Sequence, residues 1–269
     1  MDEAITQDEI EPLFEEEEPK REKLSLTSRY LSFLVKVRNK PMRVRLPSGT
    51  TIESTTITEI PRISDPTIEE VEITPIEEPY SFVRIKYDST AGEYLYEVIE
   101  PRLTADEQNI LDMLKGALIV SLNLADKHGL EEKRAVLTKA TDRLLTKLGV
   151  TLHPVSRERV LYYLRRDFTG YGAINIMMVD PSIEDCSCDG VDIPLYIYHR
   201  KYGSIKSNIK FEKEDELDAY VVWLAQKCGK HISVANPLLD ATIPDGSRLN
   251  ATLGRYVTKR GSSFTIRRF

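Results

Sequence analysis

The alternation of apolar and polar residues first becomes regular at Tyr80. The segment YSFVRIKYDSTAGEYLYEVIEP alternates on both sides of a turn that contains glycine, and this pattern predicts a β-hairpin. A helical pattern follows in TADEQNILDMLKGALIVSLNLAD, where Thr104 and Glu107 have the spacing of a capping box. Five apolar residues fall on one face of this predicted helix: Ile110, Leu111, Leu114, Leu118 and Leu122.

Two further amphipathic helices are predicted downstream. One spans about residues 130–148, and its apolar stripe comprises Val136, Leu137, Ala140, Leu144, Leu145 and Leu148. The other starts at Ser156, after Pro154, and ends at the glycines of TGYG. The hairpin and the three helices together predict a helical N-terminal subdomain over residues 80–170.

The second half of the chain has a different pattern. DPSIEDCSCDG and PLYIYHRKYGSIKSNIKF are typical of short strands joined by glycine turns, and EKEDELDAYVVWLAQKCGK predicts one main amphipathic helix. LDATIPDGSRLNATL predicts a hairpin, and SSFTIRRF predicts a closing strand. Residues 171–269 are therefore an α+β domain. The predicted fold class is α+β, a helical subdomain with a β-hairpin followed by an α+β domain of short strands and one main helix.

The first 79 residues lack such patterns. Residues 1–23 hold ten carboxylates and three bases, which predicts a disordered acidic head. Residues 24–49 hold six bases and no acid; either they dock on an anionic membrane or a partner, or they form a short helix and strand that the head neutralises. The proline-containing segment 50–79 favours an extended linker over a packed element.

Charge and cysteine content limit the function classes. The net charge of −6 comes from the acidic head, and the rest of the chain is near neutral, which gives no general argument for binding nucleic acid. Three cysteines are too few for a disulfide framework and indicate a reducing compartment. The N-terminus is acidic, and the apolar runs are too short to span a bilayer. The expected location is the cytoplasm.

No complete active site can be recognised. KCGKHIS holds Gly229 and Lys230, but Leu224 stands where a phosphate-binding loop has its first glycine, and His231 replaces the required Ser or Thr. The four histidines have no partner at metal-ligand spacing, and no GxSxG motif is present. The cysteines of CSC share one face of a strand, which suits a core as well as a ligand set that includes Cys228. No metal site is predicted.

The last residues are basic. Six bases and no acid follow Asp245, and they are Arg248, Arg255, Lys259, Arg260, Arg267 and Arg268. A cluster of arginines on adjacent strands can hold a nucleotide phosphate bidentately or stabilise transferring charge. The alternative is a solvated face or a set of surface ion pairs, each of which contributes little.

Four stretches carry a resemblance to a known family. In this order, DPSIEDCSCDG, PLYIYHRKYGSIKSNIKF, LLDATIPDGSRLNATLG and GSSFTIRRF resemble the region just upstream of the ATPase core in secretion ATPases. These are the motors of type II secretion, type IV pili and archaella, with type IV secretion relatives. The resemblance covers roughly residues 80–269 and is strongest to the archaeal secretion or pilus members.

The resemblance implies a fold and a set of contacts. It implies a helical subdomain and an α+β domain that precede a RecA-like domain, with ATP held between the two parts in a hexameric ring. Arginines of the N-terminal part would reach the phosphates, a role that falls on Arg248 and Arg267, with Arg255 and Arg268 as second choices. A turn containing Asp245 and Gly246 would present Arg248.

The chain departs from the family because the RecA-like core, which carries the P-loop, is missing from these 269 residues. The chain is therefore not expected to hydrolyse ATP alone. ATP and Mg are expected as cofactors only with the core domain, and this chain alone is expected to bind neither of them tightly. The implied partners are that core, neighbouring subunits and an inner-membrane platform protein, with no nucleic acid. The expected location is the cytoplasm at the inner face of the membrane. The alternative is a stand-alone, non-catalytic adaptor that binds anionic membrane or a platform partner.

Overall fold

A computed structural model describes residues 56–121 and 129–269. The predictions for the acidic head and for the basic segment 24–49 lie outside these residues, as do Leu122 and His128. The chain divides into two compact units. In the described residues, the helical unit comprises residues 56–57 and Arg102–Gly170, and the sheet unit comprises Thr58–Pro101 and Tyr171–Phe269.

The helical unit contains three helices: α1 (Ala105–Ser121), α2 (Leu130–Lys147) and α3 (Pro154–Phe168). The predicted capping box begins α1, because the Glu107 amide donates to Thr104 Oγ1 and the Thr104 amide donates to Glu107 Oε2. The predicted stripe of α2 is buried apart from the exposed Val136 and the half-buried Ala140. Helix α3 begins at Pro154, two residues earlier than expected, since proline is favoured in the first turn.

A buried ion pair joins α1 to α3. Lys115 Nζ on α1 lies 2.6 Å from Asp167 Oδ2 on α3, and both side chains are less than a tenth exposed. Arg166 Nε also donates to Asp167 Oδ1, at 2.8 Å. Burial by itself would raise the pKa of Asp167, but the charges of Arg166 and Lys115 outweigh burial and lower that pKa to about 2.

The sheet unit is built on nine strands in the described residues, in the spatial order β1-β2-β3-β6-β5-β4-β9-β8-β7. All neighbours pair antiparallel except β3 and β6. The strands are β1 (Ile68–Glu77), β2 (Ser81–Asp88), β3 (Glu93–Ile99), β4 (Ile183–Cys188), β5 (Tyr196–His199), β6 (Gly203–Ser207), β7 (Leu238–Thr242), β8 (Arg248–Thr252) and β9 (Ser263–Arg267).

Two more helices belong to the sheet unit: α4 (Asn175–Val179), which follows a 3-10 turn, and α5 (Glu214–Lys227). Helix α5 contacts β8 and β9 and buries the aromatic core of this unit. The ring of Tyr220 lies 5.3 Å from that of Trp223 and 5.5 Å from that of Phe264, and all three side chains are buried. The described residues thus confirm the predicted α+β class. They contain no helix long and apolar enough to cross a bilayer.

The division of the chain differs from the predicted one in two respects. The hairpin β2-β3 lies in the sheet unit, because β3 pairs in parallel with β6 through Leu95↔Lys206 and Tyr96↔Ser207. The segment expected to be a linker contains β1, the edge strand next to β2. Pro75 is compatible with this position, because an edge strand bonds to a neighbour on one side only.

Candidate functional site

Two of the arginines predicted to contact phosphate lie side by side on the sheet. Arg248 begins β8, Arg267 ends β9, and the two residues are directly opposite each other in the antiparallel register. Paired residues project from the same face of a sheet, so the two guanidinium groups share one face. We call them the arginine pair. Their side chains are 66% and 77% exposed, whereas the neighbouring Leu249 and Ile266 are buried on the opposite face.

Each member of the arginine pair bonds to a carboxylate on a neighbouring strand. Arg248 binds Asp240 of β7 with two bonds, Nε to Oδ1 at 3.1 Å and Nη2 to Oδ2 at 2.7 Å. Arg267 Nε donates to Asp185 Oδ1 of β4 at 3.0 Å. The hydrogen bond from Arg248 lowers the pKa of Asp240, and the same bond raises the pKa of Arg248. Each guanidinium group of the arginine pair therefore has a carboxylate partner on a neighbouring strand.

Arg268 has a different environment from the arginine pair. Its Nη1 group donates to the backbone carbonyl oxygens of Met177, Asp180 and Ile183, around the end of α4 and the start of β4. A cation near the C-terminal carbonyls of a helix is favoured both by hydrogen bonding and by the helix dipole. Through these hydrogen bonds Arg268 links the end of β9 to the end of α4 and the start of β4.

A cavity of about 370 Å³ lies beside Arg267 in the sheet unit. Its charged lining consists of Arg200, Arg267 and Arg268 together with Glu184 and Asp185. Arg200 is not among the arginines predicted from the sequence; it follows β5, and its Nε lies 3.3 Å from Glu184 Oε1. Only the strand order β5-β4-β9 brings this residue next to Arg267, and no local sequence signal marks it.

Arg255, the remaining candidate, is engaged elsewhere. Its Nε donates to Glu214 Oε1 at 2.6 Å, in the first turn of α5. Arg248 and Arg267 therefore lie next to each other, and Arg267 and Arg268 both line the cavity. Arg255 instead forms an ion pair with Glu214 of α5. Arg248, Arg255 and Arg267 each form a surface ion pair in this structure, which is the arrangement of the alternative prediction.

The turn before Arg248 is tightly specified. Gly246 has a φ of +96°, which side chains disfavour, and its amide donates to the carbonyl of Ile243 at 2.9 Å. Asp245 accepts hydrogen bonds from the Ser247 amide and from the Tyr171 hydroxyl, each at 2.9 Å. Burial, and secondarily the charge of Asp245, raise the pKa of Tyr171. Asp245 and Gly246 thus fix the turn that leads into β8.

Two of the three cysteines lie in the core of the sheet unit, and Cys228 is half-buried at the end of α5. Cys186 and Cys188 are both buried, and Cys186 Sγ lies 3.5 Å from Met177 Sδ. Burial raises the pKa of Cys188 and that of Cys228 to about 11. Within residues 56–121 and 129–269, no group of three or more His, Cys, Asp or Glu side chains is placed to hold a metal ion.

One protein-family match covers part of the sheet unit. Residues 58–102, which include β1, β2 and β3, match the family described as "PilB3-like, N-terminal". The match supports the predicted resemblance to the N-terminal region of a secretion ATPase for this segment. It begins before Tyr80, where the resemblance was expected to start, and takes in the strand that was expected to be linker.

Three relatives come from Methanocaldococcus jannaschii. The uncharacterized protein MJ1288 is 41% identical over 178 residues, which are 65% of this chain and 69% of MJ1288. The uncharacterized protein MJ0900 is 31% identical over 73% of this chain, but the match spans only 39% of MJ0900. The uncharacterized protein MJ0781 is 33% identical over 36% of this chain and 13% of its own length.

Among solved structures, the VirB11 ATPase of the Brucella suis type IV secretion system, in complex with sulphate, is similar to part of the chain. The similarity covers 35% of this chain and 28% of VirB11, with 18% identity and a TM-score of 0.30. At this TM-score the likeness carries no argument.

Proposed function

The chain belongs to the family of the uncharacterized protein MJ1288, and from this premise we propose that it is the N-terminal regulatory and nucleotide-clamping part of a hexameric ATPase. Such an ATPase would power protein secretion or the assembly of a pilus or archaellum. Motion of this part against a RecA-like core would convert ATP turnover into mechanical work.

The PilB3-like match is the first support. It identifies β1–β3 as a segment shared with proteins whose family description is an N-terminal region. The match to MJ0900 covers 39% of that protein, so in MJ0900 the matched region is one part of a longer chain.

The arginine pair is the observation that carries the proposal. Two guanidinium groups lie directly opposite each other on adjacent strands, so their positive charges converge on one exposed face, where Asp240 and Asp185 offset their repulsion in this structure. Guanidinium forks match phosphate oxygens geometrically and keep their charge at every physiological pH. In the proposed assembly, the exposed face of Arg248 and Arg267 meets the nucleotide phosphates, and Arg268 holds the end of β9 in position.

The RecA-like core would supply the P-loop and the Mg site, and this chain would supply positive charge. Its partners would be that core, neighbouring subunits of a ring and a platform protein of the inner membrane. The site of action would be the cytoplasmic face of that membrane.

Calorimetric titration of the chain with Mg-ATP at low salt tests the proposal. We expect weak binding without turnover, and an affinity about tenfold lower in Arg248→Gln and in Arg267→Gln, because each change removes charge-assisted hydrogen bonds. Arg143→Gln is the matched control, since it removes the same charge from an exposed position of α2. Tight binding with steady turnover by this chain alone, or an unchanged affinity in both variants, would contradict the proposal.

A further inference from the structure

The carboxylates beside the arginine pair have no role in the function proposed so far. Asp240 holds Arg248 with two hydrogen bonds, and Asp185 holds Arg267 with one. Neither carboxylate is buried: the side chains are 55% and 31% exposed. An incoming anion therefore competes with these carboxylates for the same guanidinium N–H groups.

The strand register explains why there are two carboxylates. Asp185, Arg267 and Arg248 stand in one row across β4, β9 and β8. Asp185 offsets the charge on one side of the row, and Asp240 reaches Arg248 from β7 on the other side. The two like charges at the centre are thus flanked by two opposite charges, and each arginine has its own carboxylate.

We propose that Asp185 and Asp240 are specificity-determining residues, which occupy the arginine pair until a polyphosphate group displaces both carboxylates and which thereby exclude single phosphate groups. This inference rests on the proposed function, because it assumes that the arginine pair contacts phosphate. It adds the residues that would select a chain of at least two phosphoryl groups over a single phosphate group.

The selection follows from charge and span. A single phosphate that replaces one carboxylate exchanges one ion pair for a similar one and gains little, because an exposed pair changes a binding constant by only about a few-fold. A polyphosphate carries charge at both ends. Neighbouring strands are about 4.8 Å apart, so one such ligand can bridge both arginines, and its second contact costs no further translational freedom.

The test compares tripolyphosphate with inorganic phosphate on the full chain. Dissociation constants are measured by calorimetry at low salt for the unaltered chain, for Asp185→Asn, for Asp240→Asn and for the double variant. We expect both ligands to bind more tightly to the variants, and the double variant to lose at least about threefold of the preference for tripolyphosphate. Asp192→Asn is the matched control, because Asp192 is a carboxylate in an exposed pair with Lys210, on the loop between β4 and β5.

The Arg248→Gln and Arg267→Gln variants separate failure of this inference from failure of the proposed function. If they weaken tripolyphosphate binding while the double aspartate variant keeps the full preference, the carboxylates do not select and the inference is wrong. If tripolyphosphate binds neither the unaltered chain nor the double variant, both proposals are overturned. Tripolyphosphate binding that appears only in the double variant would also overturn the inference, since the carboxylates would then exclude polyphosphate as well as single phosphate groups. If Asp192→Asn tightens phosphate and tripolyphosphate binding as much as the double variant does, the effect is one of net charge alone. That result would also overturn the inference.

Discussion

Replacing Asp167 with asparagine tests the electrostatic description of the helical unit. Asp167 is buried between Lys115 and Arg166, so the amide leaves two cations without their carboxylate. Breaking a buried pair in this way costs about 3–5 kcal/mol. The same carboxylate has its pKa lowered from 3.8 to about 2. That shift corresponds to roughly 2 kcal/mol of stability at neutral pH.

The sign of the pH dependence follows from the lowered pKa. The stabilisation is fully present above the unfolded pKa and is lost as the pH falls through the folded value, between about pH 4 and pH 2. Urea unfolding followed by far-UV circular dichroism measures the free-energy difference between the unaltered chain and Asp167→Asn. We expect this difference to shrink by roughly 2 kcal/mol from pH 7 to pH 2.

Asp142→Asn is the control for this experiment. Asp142 pairs with Arg157 in the same unit, but the two side chains are 46% and 34% exposed. Its loss should cost about 1 kcal/mol or less. A free-energy difference for Asp167→Asn that stays constant from pH 7 to pH 2, or that equals the effect of Asp142→Asn, would refute the electrostatic description.

Three further predictions concern the sheet unit. Gly246→Ala should lower the free energy of unfolding by about 1 kcal/mol or more, because alanine strains at the positive φ of this turn, and chemical denaturation measures the loss. Leu224→Ala should cost about 2–5 kcal/mol in the same assay, since this side chain is fully buried in α5, whereas an equal stability would contradict the packing. With an aromatic disulfide reagent at pH 8, Cys188 and Cys228 should react at about one hundredth of the rate of a free thiol because their pKa is about 11. Denaturant should restore the rate, and rapid reaction of the folded chain would show that the thiols are not protected.

Local patterns predicted most elements of the fold. The capping box at Thr104, the amphipathic stripe of α5 and the alternation in SSFTIRRF each depend on residues a few positions apart, and each is present in the structure. What the sequence did not reveal is long-range pairing. The prolines and glutamates of residues 50–79 disfavour strands in general and so predict a linker, yet β1 is an edge strand and accepts Pro75 and several glutamates.

The candidate site shows the same limit. The sequence placed Arg248 and Arg267 on strands, but their direct opposition depends on the register between β8 and β9. The carboxylates Asp185 and Asp240 come from two other strands, and Arg200 comes from a turn after a third. Nothing in the local sequence around these residues identifies their partners, because the strand order of the sheet creates the contacts.

The parallel pairing of β3 with β6 has a consequence for how the chain folds. Leu95 and Lys206 are partners although about 110 residues separate them, and the three helices of the helical unit lie within that interval. During synthesis, the hairpin β2-β3 must wait for β6, whereas the contacts that the three helices make with one another join residues closer together in the chain. If the helices form first, about 70 residues leave the flexible loop, and the entropic cost of closing it falls by about 1 kcal/mol. Helices that formed first would in this way shorten the search by which the two parts of the sheet find each other.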